Sequence, residues 1–274
     1  MARSQTEKGL AFKSLHERAG CFVMPNPWDA GSARLLTGFG FEALATTSAG
    51  FAFSIGRRDG ESALSRNDVL ENARVIIEAT DLPVSADLEG GFGDAPEAVA
   101  KTIAEAARVG LVGGSIEDAT GRKDDPIHEL GFSVARVKAA VAAARALSFP
   151  FMLTARAENF AYGRPDLTDT IRRLQAYQEA GADVLYAPGL KTAEDIRAIV
   201  QSVDRPVNVV IGLHAASWTV DQLAALGVKR ISLGSSLSRA ALGAFLRAVE
   251  EIKDHGSFAF VGDAVPYRKI NALF

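Results

Sequence analysis

Five acidic residues and one arginine follow short apolar runs in the middle of the chain: Asp87-Leu-Glu89, Glu117-Asp118 and Arg156-Ala-Glu158. Asp87 and Glu89 share a face if the run continues as a strand, because side chains repeat every two residues. Crowded carboxylates repel one another unless a cation neutralises them or one takes up a proton. Asp87, Glu89 and Glu117 offer hard oxygen ligands with no His or Cys beside them, a set that favours Mg²⁺, with Mn²⁺ the alternative, over zinc. The competing reading is structural: such acids also cap helices or pair with Arg and Lys. For Arg156 two roles stay open. Its planar guanidinium could grip a substrate carboxylate with two parallel hydrogen bonds, or it could pair with Glu158 or Glu117.

Other motifs carry weaker signals. Gly90-Gly-Phe-Gly93 reads as a sharp turn or as a close backbone approach to a ligand. Thr46-Thr-Ser-Ala-Gly50 reads as an anion nest or a plain turn. Gly234-Ser-Ser236 reads as a phosphate site or a helix N-cap. Of the four histidines, His16 and His255 read as surface residues, whereas His128 and His214 fall in loops on the side expected to carry chemistry. There is no Ser-His-Asp order with a nucleophile elbow. Lys is scarce after the apolar runs, which disfavours Schiff-base chemistry.

These residues are positioned by a repeated grammar. An Ala-rich amphipathic segment ends in Gly and an apolar run follows, at Gly40-Phe-Glu-Ala-Leu-Ala, Gly110-Leu-Val-Gly-Gly-Ser-Ile, Gly181-Ala-Asp-Val-Leu-Tyr and Gly227-Val-Lys-Arg-Ile-Ser. Gly suits the left-handed position just past a helix. A second phrase, Pro and then an apolar run, alternates with it at Pro83, Pro150 and Pro206. With Cys21-Phe-Val-Met, where Cys21 reads as a small buried hydrophobe, the pattern predicts strands near 21–24, 43–47, 83–87, 112–117, 150–155, 183–187, 206–210 and 230–234. Helical patterns fill most gaps, for example 96–109 and 169–180. Near-continuous apolar runs suit a parallel sheet buried on both faces. Eight such units predict an α/β fold, a (β/α)8 TIM barrel, in a single domain spanning 1–274. The rival doubly wound sheet would carry a Gly-rich phosphate loop after its first strand, where this chain has Pro25-Asn-Pro-Trp-Asp.

The composition sets outer bounds. Thirty Lys+Arg against thirty-three Asp+Glu, a net charge of −3, argues against a nucleic-acid partner. One cysteine excludes an intrachain disulfide and a Cys-based zinc site. The longest uncharged stretches, 43–56 and 206–220, carry polar residues and fall short of a membrane span, and residues 1–8 are too polar for a signal peptide. The expectation is a cytoplasmic protein with no membrane partner.

Taken together the sequence resembles the phosphoenolpyruvate mutase/isocitrate lyase superfamily. The phrases that carry the resemblance occur in family order over nearly the whole chain: Pro25-Asn-Pro-Trp-Asp-Ala, Thr46-Thr-Ser-Ala-Gly, Gly56-Arg-Arg-Asp59, Ala86-Asp-Leu-Glu-Gly-Gly-Phe-Gly93, Ser115-Ile-Glu-Asp118 and Thr154-Ala-Arg-Ala-Glu158. The resemblance implies a TIM barrel whose last helix is swapped between subunits of a homodimer or homotetramer. It also implies Mg²⁺ and a small α-keto or α-hydroxy acid whose C–C or P–C bond breaks or forms beside an enolate. On this basis Asp87 matches the principal metal carboxylate. Glu89, Glu117 and Asp59 match acids outside it, Thr47, Ser48 and Ala49 match the segment that holds the substrate carboxylate and carbonyl, and Arg156 matches the substrate-binding arginine. Glu158, after the fifth predicted strand, and Asn208, on the seventh, join these as candidate catalytic and substrate-binding residues. The favoured expectation is a lyase that decarboxylates or hydrolyses an oxaloacetate-like substrate. A phosphonopyruvate-like substrate falls within the same lyase or mutase-like reading; a carboxyphosphonoenolpyruvate or phosphoenolpyruvate mutase is the alternative, and a barrel that binds an α-keto acid without turning it over is a further one.

Two departures stand out. The family's C–C lyases carry a Lys-Lys-Cys-Gly-His loop whose Cys protonates the departing enolate. Here the loop reads Ala119-Thr-Gly-Arg-Lys-Asp-Asp-Pro126, without Cys or His. Phosphonate mutases place a His after strand six, where this chain has Pro188. The acid is therefore unassigned, and specificity is expected in the loops 119–130, 189–192 and 211–219. The stretch 243–274, with its amphipathic segment 244–252 and with Phe258, Phe260, Val261 and Phe274, carries apolar residues that a closed barrel does not need. It is expected to pack on a neighbouring subunit.

Overall fold

The computed structural model describes residues 3–60, 63–212 and 218–274. His214 and most of the 211–219 loop lie outside the described residues. In chain order the elements are α1 (Gln5–Glu17), β1 (Phe22–Met24), α2 (Ala30–Gly38), β2 (Leu44–Ala45), α3 (Ser48–Ser54), α4 (Arg66–Glu78), β3 (Val84–Asp87) and α5 (Pro96–Arg108). There follow β4 (Gly113–Glu117), α6 (Leu130–Arg145), β5 (Met152–Arg156), α7 (Leu167–Glu179), β6 (Val184–Tyr186), α8 (Ala193–Ser202), β7 (Val207–Val210) and α9 (Val220–Ala225). The chain closes with β8 (Arg230–Ser232), α10 (Ser236–His255), a 3₁₀ turn (Ala259–Gly262) and α11 (Tyr267–Asn271).

Seven strands lie where the Gly and Pro phrases predict them, and β1 lies where the Cys21-Phe-Val-Met run does. They form one parallel sheet in the order β1-β8-β7-β6-β5-β4-β3-β2, and so make a (β/α)8 barrel. The last junction, β1 to β2, is narrow. The Ala45 amide donates to Pro25 O at 3.0 Å, and the Asn26 side chain does the rest. Asn26 Nδ2 donates to Thr46 O at 2.9 Å, while Oδ1 accepts from the amides of Leu233 and Gly234 at 2.9 and 3.0 Å. One amide thus ties β2, β1 and the end of β8 together.

The largest core lies between the strands and the surrounding helices, with Ile76, Ile103, Leu153, Leu174 and Ile199 fully buried. A second core fills the bottom of the barrel, where α1 delivers Phe12 and Leu15 against Phe22, Val112 and Met152. Gly113 makes room for this plug, since a Cβ there would stand 2.8 Å from the Phe12 ring. The plug also overturns one expectation. His16 is buried, edge-on to Phe12 and Phe22, because α1 turns that face into the barrel floor. His255 is exposed, and Cys21, just before β1, is only partly buried.

The eighth barrel helix departs from the wall. Of all its residues only Ser238 is buried; the helix packs chiefly against α3 and the 3₁₀ turn, and its first turn bonds the carbonyls of Ile211 and Gly212. Leu242, Phe245, Leu246, Val249 and Ile252, spaced as one helical stripe, are all exposed, as are Phe258, Val261 and Phe274; Phe260 is partly covered. No helix among the described residues is long and apolar enough to cross a membrane.

Candidate active site

The C-terminal ends of β3, β4 and β5 meet at the mouth of the barrel around a cavity of about 770 Å³. Ser48, Asp59, Asp87, Glu89, Glu117, Arg156 and Glu158 all line it. Parallel register explains the convergence, because Asp87 pairs with Ser115, and Glu117 pairs with Arg156. Acids far apart in sequence thereby become lateral neighbours at one rim.

Arg156 stands at the centre. Its Nη1 donates to Asp87 at 3.0 Å, Nη2 lies 3.0 Å from Glu117, and Nε donates to Glu158 at 2.7 Å. The guanidinium also lies over the Tyr186 ring, 5.1 Å from its centroid. Both roles proposed for this arginine therefore bear on one side chain, which is already paired with three acids. It is not the lone cation of the mouth. Arg136 and Arg66 line the cavity too, but Arg136 binds main-chain carbonyls and Arg66 pairs with Glu105 at 2.7 Å.

One guanidinium does not balance the acids. Burial and the negative charge of Asp87 and Asp59 push Glu89 up to about 7. Burial and Asp87 also raise Asp59, and burial raises Glu117 and Glu158 against the pull of Arg156. Among the described residues no three His, Cys, Asp or Glu side chains form a ready-made direct metal cage. Asp87, Glu89 and Glu117 share the cavity, with Arg156 bridging Asp87 and Glu117.

The turn after β3 is strained where it presents an acid. Glu89 adopts φ +48° and Phe92 φ +56°, left-handed values that only Gly takes readily. Three contacts hold it. The Glu117 amide donates to Glu89 O at 3.1 Å, the Glu89 amide donates to Asp87 Oδ1 at 3.3 Å, and Arg136 donates to the carbonyls of Gly90, Gly93 and Asp94. Gly90-Gly-Phe-Gly93 is thus a turn clamped from behind by a buried arginine.

Thr47 is the N-cap of α3, its hydroxyl accepting from the Gly50 amide at 3.2 Å. Ser48 Oγ donates to Asp87 at 3.0 Å, and Thr46 Oγ1 accepts from the Asp87 amide at 3.0 Å. The amides of Ser48 and Ala49 open the first helical turn, where the helix itself supplies no acceptor. Asn208 lies deeper, inside the barrel. Its Oδ1 accepts from Arg230 Nε at 2.8 Å and its Nδ2 donates to Ser232 at 3.0 Å. It lines a small inner cavity of about 70 Å³ with Thr47, Asp87, Arg156 and Tyr186. Gly234-Ser-Ser236 starts α10, and the Gly234 amide is engaged by Asn26. His128 is buried, 3.6 Å from Asp94, outside both cavities.

Sequence reasoning missed the support beneath Glu158. Asp118 accepts from the Glu158 amide at 2.9 Å, from Tyr177 Oη at 2.6 Å and from Arg173 at 3.0 Å. It also missed Tyr162, which lines the mouth cavity; burial and then Glu117 and Glu158 push its hydroxyl up to about 12. Asp118 was visible as an acid after the fourth run but its partners were not, and Tyr162 lies in a turn with no periodic pattern to flag it. Part of one cavity wall comes from the 119–127 segment, folded as a hairpin through the Ala119–Ile127 bridge and pinned by Arg122 to Asp94 at 3.0 Å.

Comparison with known proteins agrees with this architecture. A crystal structure from Burkholderia cenocepacia J2315, provisionally placed among lyases and mutases, is 58% identical with a TM-score of 0.96, over 98% of this chain and 95% of that one. An oxaloacetate decarboxylase of Pseudomonas putida is 27% identical, over 88% of this chain and 83% of its own. A phosphonopyruvate hydrolase, solved with oxalate and Mg²⁺, is 27% identical with a TM-score of 0.86, over 97% and 94%. The family model for phosphoenolpyruvate phosphomutase matches residues 12–253, the span that carries every strand and every acid of the mouth. The chain belongs to the phosphoenolpyruvate phosphomutase family.

Proposed function

We propose that this protein is a Mg²⁺-dependent enzyme that cleaves a C–C bond in a small α-keto dicarboxylate of the oxaloacetate type. The observation that carries the reading is the mouth cavity: of its six carboxylates Asp94 is paired with Arg122, and the other five face the one engaged guanidinium of Arg156, four of them with raised proton affinity. Such a pocket holds more negative charge than Arg156 balances, and a divalent cation would balance it. The donor set fits Mg²⁺ in particular, with Mn²⁺ the alternative. Mg²⁺ keeps several of its waters, so acids spread around a cavity can hold it without a direct three-carboxylate cage. Asp87 is the ligand in this reading, and Glu89, Glu117 and Asp59 act through water. When bound, Mg²⁺ would draw electron density from an α-keto acid and so stabilise the enolate left by bond cleavage.

The chain's own residues supply the rest. Arg156 turns from its acids toward the substrate's carboxylate. The amides of Ser48 and Ala49, set by the Thr47 cap, meet the same end, and Asn208 offers an amide to the far end. Glu158 keeps Arg156 aligned. The oxaloacetate-acting relative supports a C–C reading. The phosphonopyruvate-acting relative supports P–C cleavage as a second one, while Pro188 stands where the mutases' His is expected. The exposed stripe on α10 supports assembly into dimers or tetramers through that helix. A panel of α-keto and phosphono acids with Mg²⁺, followed by ¹³C and ³¹P NMR, tests the reading. CO₂ or oxalate release from a dicarboxylate is expected; cleavage of phosphonates alone overturns the C–C reading.

A further inference from the structure

Among the described residues the mouth cavity is lined by no thiol and no imidazole that could protonate a carbanion, and its four hydroxyls are Ser48, Ser65, Thr120 and Tyr162. Three of these already donate: Ser48 to Asp87 at 3.0 Å, Ser65 to Asp68 at 2.9 Å, and Thr120 to Asp125 O. Tyr162 has no hydrogen-bond partner for its hydroxyl among the described residues. Its position is fixed by the main chain. The Tyr162 amide donates to Glu158 O at 3.1 Å, one helical turn past β5, and the Arg164 amide donates to Asn159 O at 2.8 Å. Residues four apart on such a turn share a face. Tyr162 therefore stands on the same wall as Glu158, the acid that aligns Arg156 at 2.7 Å.

We infer that Tyr162 is the general acid of this site, its hydroxyl protonating the carbon exposed by C–C cleavage. The assignment rests on the C–C reading above. In the step, the bond between C3 and C4 of the dicarboxylate breaks and CO₂ leaves. The electron pair remains on C3 and spreads onto the keto oxygen as an enolate. The Tyr162 proton then moves to C3, the O–H pair stays on oxygen as phenolate, and solvent water restores the proton. The residue is 43% exposed, so solvent can reach it.

The test compares wild type with Tyr162→Phe on the dicarboxylate that the wild type cleaves, with Mg²⁺, and measures oxalate binding in parallel. Oxalate copies the keto-acid end of the enolate but has no C3 to protonate. The expected result is a kcat at least ~100-fold lower, the range for loss of general-acid catalysis, with the oxalate Kd unchanged within about twofold. A substrate carrying chiral isotopic label at C3 should yield product of one configuration from wild type and racemic product from the variant. Near-normal kcat and retained stereochemistry in the variant overturn the assignment and leave the C–C reading standing. Equal losses of kcat and oxalate affinity make Tyr162 a ligand-holding residue and also overturn it. A wild type that cleaves no C–C bond in the panel overturns the C–C reading itself, and this assignment with it.

Discussion

Arg156 donates to three carboxylates at once, so its charge and its shape can be tested separately. Arg156→Lys keeps the charge that quiets Asp87, Glu117 and Glu158 but removes the planar fork. The expected outcome is a kcat/KM at least ~100-fold lower, about 2.7 kcal/mol of transition-state binding. Mg²⁺ affinity, read by calorimetry, should hardly change, since the arginine is not a ligand. Near-normal turnover would make Arg156 a structural partner of the acids only. A second buried group makes a different prediction. His16 donates through Nδ1 to Phe12 O at 2.8 Å, and Nε2 faces Arg230 at 3.3 Å. Burial, with the charge of Arg230, pushes its pKa down to about 3. Between about 6.5 and 3 the unfolded chain thus binds up to one proton more than the folded one, and stability falls as pH falls, by up to about 1.4 kcal/mol per unit. His16→Gln keeps an acceptor for Arg230 and should flatten that slope. Urea melts of both proteins from pH 7 to 4 give the difference, and parallel slopes would count against a neutral His16 in the floor.

Seven of the strands were legible because each is announced by a Gly that ends a helix or a Pro that starts a run, β1 by its apolar run alone, and the acids after β3, β4 and β5 were legible because parallel register puts strand ends on one rim. Long-range partners were not. Nothing local in α1 says that His16 points into the barrel, or that Asp118 will collect Tyr177 and Arg173 from α7. The turn after β3 shows the same limit. Its glycines are visible in sequence, but the arginine that clamps it arrives from α6, more than forty residues later. Arg136→Met should leave the carbonyls of Gly90, Gly93 and Asp94 without their donor and destabilise the fold by about 3 kcal/mol in denaturant melts. The left-handed Glu89 should relax with it, so Mg²⁺ affinity should drop as well. A stability loss with unchanged Mg²⁺ affinity would detach Glu89 from the metal reading.

At the scale of the molecule, α10 presents Leu242, Phe245, Leu246, Val249 and Ile252 to solvent, an apolar stripe of a kind that stable monomers rarely leave bare. Leu246→Glu sets a charge in its middle. Light scattering should show the wild type above one chain's mass at micromolar concentration and the variant shifted toward the single chain. A monomeric wild type would remove the assembly from the account. The barrel's closure has a consequence of its own. Seven of its eight junctions are continuous ladders, whereas β1 and β2 meet through one main-chain hydrogen bond and the Asn26 amide. The molecule is in effect a rolled sheet with a latch, and thermal breathing runs along the line of fewest bonds. That line passes between Pro25 and Thr46, beside the Thr47 cap of α3, so any loosening of the barrel's weakest seam would carry the Ser48 and Ala49 amides with it.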